Sequence, residues 1–211
     1  MADASAGAAD TKVATTRQVK AAETEAALKQ AAREVWAERG YLNTKITDIT
    51  AAARRSTGSF YNHFAGKEEL LEALLTDMRA SVDEAVYGDP AHDPDFSRRD
   101  SIRWHVAAFW RFYQAHIPEM IALRQAAMVT PELGRRLQEI VAADDVHMVE
   151  HFAYLPEPKP DPLLQISVMN TLLEGFAYHW LVTGDASGRI LSDDEAVDLL
   201  TDVLHHGLAG R

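Results

Sequence analysis

Apolar positions recur at helical spacing along nearly the whole chain, and where the pattern stops, proline, glycine and aspartate take over. From residue 67 onward the pattern predicts helices over 67–86, 99–115, 118–129, 132–153, 163–183 and 193–208. The breaks are residues 87–95, with two prolines among aspartates and glycine, and the run Leu-Pro-Glu-Pro-Lys-Pro-Asp-Pro at 155–162, a stiff connector that cannot be helical. Pro118 and Pro131 stand near helix starts, where a missing N–H costs little. Ser192-Asp-Asp-Glu has the form of a capping box for the last helix. With no convincing strand and no internal repeat, the fold class is all-α, about nine helices.

Between residues 44 and 67 the elements shorten. Ile46, Ile49 and the alanines share one face of a helix that starts at Thr44 or Lys45 and ends by Ala53. Ser56 is placed to cap a second helix through Asn62, since its hydroxyl can accept from an orphan backbone N–H. Phe60 and Phe64, four residues apart, face inward, which leaves Thr57, Gly58, Ser59, Tyr61, Asn62 and His63 to point outward. Two short helices about a tight turn, the second with a small polar first turn, have the shape of a helix-turn-helix that enters a DNA major groove.

At these residues the chain resembles the tetracycline-repressor (TetR) family of transcriptional regulators. The resemblance rests on Trp-Ala-Glu-Arg-Gly-Tyr at 36–41, Thr-x-x-x-x-Ile at 44–49, Ser-Thr-Gly-Ser-Phe-Tyr-Asn-His-Phe at 56–64 and Lys-Glu-Glu-Leu-Leu at 67–71, and it covers roughly residues 17–75. It implies DNA contacts from Lys45 and Thr47 on one helix, Thr57, Gly58 and Ser59 at the start of the next, and Tyr61, Asn62, His63 and Lys67. Tyr61 and Lys67 would meet phosphates, and Thr57 to Ser59 base edges. Ser56 is grouped with this set, and Arg17 and Lys20 could reach phosphate from the start of the first helix. Where the family usually has glycine and an apolar residue in the turn, this chain has Arg54 and Arg55. A non-glycine residue must then take a conformation that glycine tolerates best, and Arg55 becomes either a DNA contact or a solvated arginine. Lys45 stands where a hydroxyl cap is common.

Charge divides the chain as the motifs do. Residues 11–67 hold ten lysines and arginines against five acidic residues, and residues 68–211 hold eleven against twenty-five, within an overall net charge of −11. A local basic face is enough for backbone neutralisation, and an acidic remainder discourages non-specific spreading on DNA or simply maintains solubility. The 47% of hydrophobic residues can build a packed core, and zero cysteines remove disulfides, thiolate metal sites and cysteine nucleophiles. No run is long enough to cross a membrane and the first ten residues lack a signal-peptide pattern, so the expected location is cytoplasmic. The expected domains are a disordered arm at 1–16, the DNA-binding unit at 17–66 and a ligand-binding and dimerisation unit at 67–211.

The resemblance also implies a homodimer through the last two helices. The residues that fit are Leu172, Gly175, Phe176 and Trp180 on one, and Ala196, Leu200, Val203 and Leu204 on the other. A two-fold dimer would set its reading helices one DNA turn, about 34–36 Å, apart on a palindromic operator. The same resemblance implies an apolar pocket for a small-molecule effector, for which Trp104, Phe109, Trp110 and Tyr113, with Met120, Met128, Met148, Phe152 and Phe176, supply rings and thioethers. Arg103 or Arg124 could hold an anionic group of the effector, and His147 or His151 could donate to it. Asp144, His147 and His151 also fall at i, i+3 and i+7, a spacing from which a cation can be held. Histidine pairs are common on exposed helices, and His105, His116 and His179 carry no mark tying them to this cluster, so neither a metal nor a cofactor is assigned. The competing reading is a helical ligand-binding protein or an enzyme without DNA binding. The chain shows no P-loop, G-x-S-x-G elbow or His-Glu-x-x-His, and no catalytic residue is assigned.

Overall fold

Helices carry every regular element among the described residues of the computed structural model, which are 4–157 and 160–209, with backbone alone at 4–16, 83–85, 87, 143–146 and 208–209. The order is α1 (Ala4–Arg39), α2 (Ile46–Ala52), α3 (Thr57–Tyr61), α4 (Lys67–Tyr87), α5 (Arg99–Ala115), α6 (Ile117–Val129), α7 (Pro131–Phe152), α8 (Pro162–Tyr178) and α9 (Asp193–Ala209). Pro118 and Pro131 lie in the first turns of α6 and α7, and Asp161 caps α8 by accepting from the Leu164 N–H at 3.0 Å. The capping box of α9 is formed: the Glu195 carboxylate accepts from the Ser192 N–H at 2.8 Å and the Ser192 hydroxyl accepts from the Glu195 N–H at 3.3 Å.

Two elements depart from the pattern. The segment expected to be a disordered arm is helical from Ala4 on and forms the first turns of α1, in keeping with its alanine content. The helix expected over 163–183 widens after Tyr178 into a π-helical turn, His179–Thr183, and stops at Gly184, whose φ of 74° ends it.

The core has two parts. One gathers Leu28, Ala32 and Trp36 of α1, Ile49 of α2, Phe60 of α3 and Leu70, Leu71 and Leu74 of α4 with Ala122 and Ala126 of α6 and Leu133 and Leu137 of α7. The helix-turn-helix is therefore closed from below by α6 and α7, and its core does not stop at residue 66. The other part joins Ile102, Val106, Trp110 and Tyr113 of α5 with Phe152 of α7, Ile166, Met169 and Leu173 of α8, and Val197, Leu200 and Leu204 of α9. Helix α6 touches the first group and reaches toward the second, which makes it the seam of the molecule.

Candidate nucleic-acid interface

The interface is built on the end of α1. Gly40 terminates that helix at φ +75°, with its N–H donating to the Trp36 carbonyl at 2.8 Å. A Cβ there would lie 3.3 Å from Gln125 Oε1, so the turn and the close approach both require glycine. The same oxygen accepts from the N–H groups of Tyr41 and Leu42 at 3.0 and 3.4 Å, tying the α1–α2 corner to α6. Lys45 opens α2 without a side-chain cap, and the Asp48 carboxylate takes its N–H at 2.9 Å instead. This leaves the Lys45 side chain exposed beside the exposed Thr47.

In the turn, Arg54 adopts φ 52°, the left-handed conformation that a missing glycine requires. The turn is held by the Arg54 N–H donating to the Ala51 carbonyl at 3.1 Å and the Arg55 N–H donating to Thr50 at 2.9 Å. Ser56 then caps α3, its hydroxyl accepting from the Ser59 N–H at 3.1 Å. Phe60 and Phe64 are buried, with ring centres 5.7 Å apart. On the opposite side Thr57, Gly58 and Asn62 are exposed and Tyr61 is 57% exposed. A methyl group on Gly58 would meet nothing nearer than Ser56 Oγ at 3.9 Å, so the protein's own packing does not ask for glycine there. Arg17, Lys20 and Arg55 are exposed as well.

Two expected contacts change character. Lys67 donates to the carbonyls of Tyr41 at 2.9 Å and Thr44 at 2.6 Å, and its ammonium lies 4.4 Å from the centre of the Tyr41 ring. Burial holds its pKa below the ordinary lysine value. With two of three donors engaged inside the fold, Lys67 fastens α4 to the α1–α2 corner and leaves the phosphate set. His63 is mostly covered, its Nδ1 4.0 Å from Glu25 of α1, so it sits at the flank of the exposed surface.

Residues 28–74, which contain all of this geometry from the middle of α1 into α4, match the model of the family described as bacterial regulatory proteins, tetR family. Over this segment the chain is similar to the tetR family. Among similar proteins, the HTH-type transcriptional repressor DhaR of Mycobacterium sp. (strain GP1) is 39% identical over 57 residues, 25% of this chain and 29% of that protein. The A-factor receptor protein of Streptomyces griseus is 30% identical over 74 residues, 35% of this chain and 27% of that one. These alignments span less than a third of either relative. Likeness in fold extends further. A TetR-like transcriptional regulator from Rhodococcus sp. RHA1 superposes with a TM-score of 0.63 at 24% identity, covering 89% of this chain and 97% of that one. The fatty acid degradation regulator FadR from Bacillus halodurans superposes at 0.70 and 20% identity, over 89% and 97%.

Outside the tetR segment, the aromatic residues expected to line a pocket are mostly core. Trp110, Tyr113 and Phe152 are buried, and Phe109, Met120, Met148 and Phe176 are half-buried against them. The indole N–H of Trp110 donates to Asp193 at 2.8 Å. Three expectations are corrected. Arg103 is engaged with Asp198 at 2.7 Å and Asp194 at 3.0 Å on α9, which leaves it poorly placed to hold an effector. Met128 is 79% exposed at the end of α6, away from the ring cluster. Arg124 is exposed and stacks over Tyr178, 4.0 Å from the ring centre. On α7, His147 is exposed and His151 buried, and the side chain of Asp144 lies outside the described residues. His151 instead meets Phe96, His105 and His92, two histidines that no spacing in the sequence links to it.

The helices expected to pair two subunits also needed sorting by face. Ala196, Leu200 and Leu204 are buried within this chain's own core, as are Leu173 and Val197, and they have no surface to offer a partner. Phe176 and Trp180 are half-buried. What remains outward is Leu164, Val168, Leu172 and Gly175 on one face of α8, and Leu199 and Val203 on α9. Leu164 and Val168 carry no mark in the sequence because α8 is apolar nearly all round, and periodicity alone cannot say which face the core takes.

Proposed function

We propose that this chain is a sequence-specific DNA-binding transcriptional regulator that acts as a homodimeric repressor and leaves a palindromic operator when a small molecule binds its C-terminal helices. The observation that carries the reading is α3, a helix capped by Ser56, anchored inward by Phe60 and Phe64, and showing a small, polar, exposed face at Thr57, Gly58, Tyr61 and Asn62. Small residues let the helix sit deep in a major groove, where Thr57 to Ser59 read base edges while Tyr61, Lys45 and the flanking Arg17, Lys20 and Arg55 meet phosphates. The outward stripe of α8 and α9 supports a two-fold partner, since a face of leucine and valine at helical spacing is otherwise left in water.

Release follows from linkage. A small molecule that binds better when the two reading helices are wrongly spaced lowers DNA affinity by its differential binding energy. Helix α6 is suited to carry that bias, because its Glu119 and Gln125 grip α1 and the α1–α2 corner while its Arg124 stacks on Tyr178 of α8. Selection of bound duplexes from a random pool is the test. The account expects an enriched two-fold symmetric sequence with half-sites about one helical turn apart. Enrichment of no sequence, or of one without two-fold symmetry, would overturn it.

A further inference from the structure

We propose that His92, His105 and His151 form a binding site for a divalent transition-metal ion, Zn²⁺ in the first place, with the three Nε2 atoms as ligands. The residues come from three separate elements: the loop between α4 and α5, the first half of α5 and the end of α7. His151 Nε2 lies 3.1 Å from His92 Nε2 and 3.2 Å from His105 Nε2, and the three possible ligand atoms all fall within 4.8 Å of one another. Three nitrogens at about 2.0–2.1 Å from a tetrahedral Zn²⁺ would be about 3.3–3.4 Å apart, so two of the separations are already close to those of a coordinated ion and the third needs a shift of up to about 1.4 Å.

Proton accounting points the same way. The Ser101 carbonyl can only accept, and it lies 2.9 Å from His105 Nδ1, so His105 carries its proton there and presents a lone pair at Nε2. If His151 Nε2 is unprotonated, its proton sits on Nδ1 and lone pair faces lone pair across the His105 contact. If His151 Nε2 is protonated, its single hydrogen cannot serve both neighbours and it has no lone pair left to accept from His92. No placement of protons on neutral rings satisfies both contacts, whereas a cation at the centre satisfies all three.

The surroundings suit a metal centre. The His105 hydrogen bond to a backbone carbonyl fixes the tautomer and ring orientation, as is usual behind a metal-bound imidazole. Phe96 lies 4.9 Å from both His105 and His151, and Trp104 lies 4.9 Å from His105. The neighbouring Asp93 carboxylate is engaged with Arg98 at 3.2 Å and the Asp95 N–H at 3.0 Å, so three protein ligands leave a fourth position for water or an oxygen of a small molecule. An ion there pins the loop that follows α4 to α5 and α7.

The test is metal binding by chelator-treated full-length protein, without DNA. The site predicts one Zn²⁺ per chain by calorimetry, a visible absorption band of tetrahedral type with Co²⁺, and a higher unfolding temperature with Zn²⁺ present. His92→Ala, a loop substitution, and His105→Gln should each weaken Zn²⁺ binding by at least about tenfold and abolish the thermal shift. The double variant His205→Ala with His206→Ala, which removes a histidine pair on α9 outside the cluster, should bind like the parent. Absence of stoichiometric binding, or retention of parental affinity in both His92→Ala and His105→Gln, would overturn the proposal.

Discussion

At Gly58 an added methyl group would find open space on the protein's own side, 3.9 Å from its nearest neighbour. Alanine is the better helix former by about 1 kcal/mol, so Gly58→Ala should raise the denaturant midpoint slightly or leave it unchanged. If α3 enters a major groove, the same methyl group meets DNA, and affinity should fall by about tenfold or more, the equivalent of about 1.4 kcal/mol. Stability rising while binding falls is a signature that a purely structural role would not give. Arg54 makes the opposite case. Its φ of 52° is strained for a side-chain-bearing residue, so Arg54→Gly should stabilise the fold by about 1 kcal/mol in urea unfolding. An equal or greater loss would mean that the arginine side chain contributes more than its backbone costs. The need for a non-glycine residue to take this conformation was legible in the sequence; which of the two arginines takes it was not, because that is visible only in a dihedral angle.

Single elements show what a linear pattern can and cannot carry. Helices α5, α6 and α7 start and stop within about one residue of the positions that proline and apolar spacing predict, since helix ends are decided by local chemistry. Contacts between elements are not local. Arg33 of α1 donates to Glu119 of α6 at 2.6 Å, and Glu119 is 2% exposed, yet the two residues lie 86 positions apart with nothing in either neighbourhood to mark them. Removing the arginine strands a buried carboxylate, and because Arg33 itself is partly exposed the expected cost of Arg33→Ala is about 2–3 kcal/mol, less than for a wholly buried pair. Thermal and denaturant unfolding would measure it. A change below about 0.5 kcal/mol would show that water reaches Glu119 and that α6 is held to the reading unit by Gln125 and packing alone. The surroundings of the pocket candidates are hidden in the sequence for the same reason. An arginine such as Arg103 looks free in sequence and is committed to α9 in space, and His105 looks idle and faces His151.

For the molecule as a whole, the account requires two copies. One chain presents one α3, and a palindrome needs two at fixed separation. The double substitution Val168→Glu with Leu172→Glu places charge on the outward face of α8 without touching the core. It should yield a monomer by sedimentation with unchanged helical content, and operator affinity should drop by about a hundredfold or more as the second reading unit is lost. A parental dimer would move the interface elsewhere. The charge division along the chain bears on the same scale, because binding led by a basic face on an acidic protein is sensitive to salt. Fluorescence-anisotropy titration of the purified protein with the duplex upstream of its own gene, repeated across salt concentrations, tests the central claim most directly. The account predicts tight binding to that duplex, much weaker binding to a scrambled one, and a logarithmic fall in affinity with salt of about 0.9 per phosphate contacted. Equal affinity for both duplexes, or none that depends on salt, would contradict it.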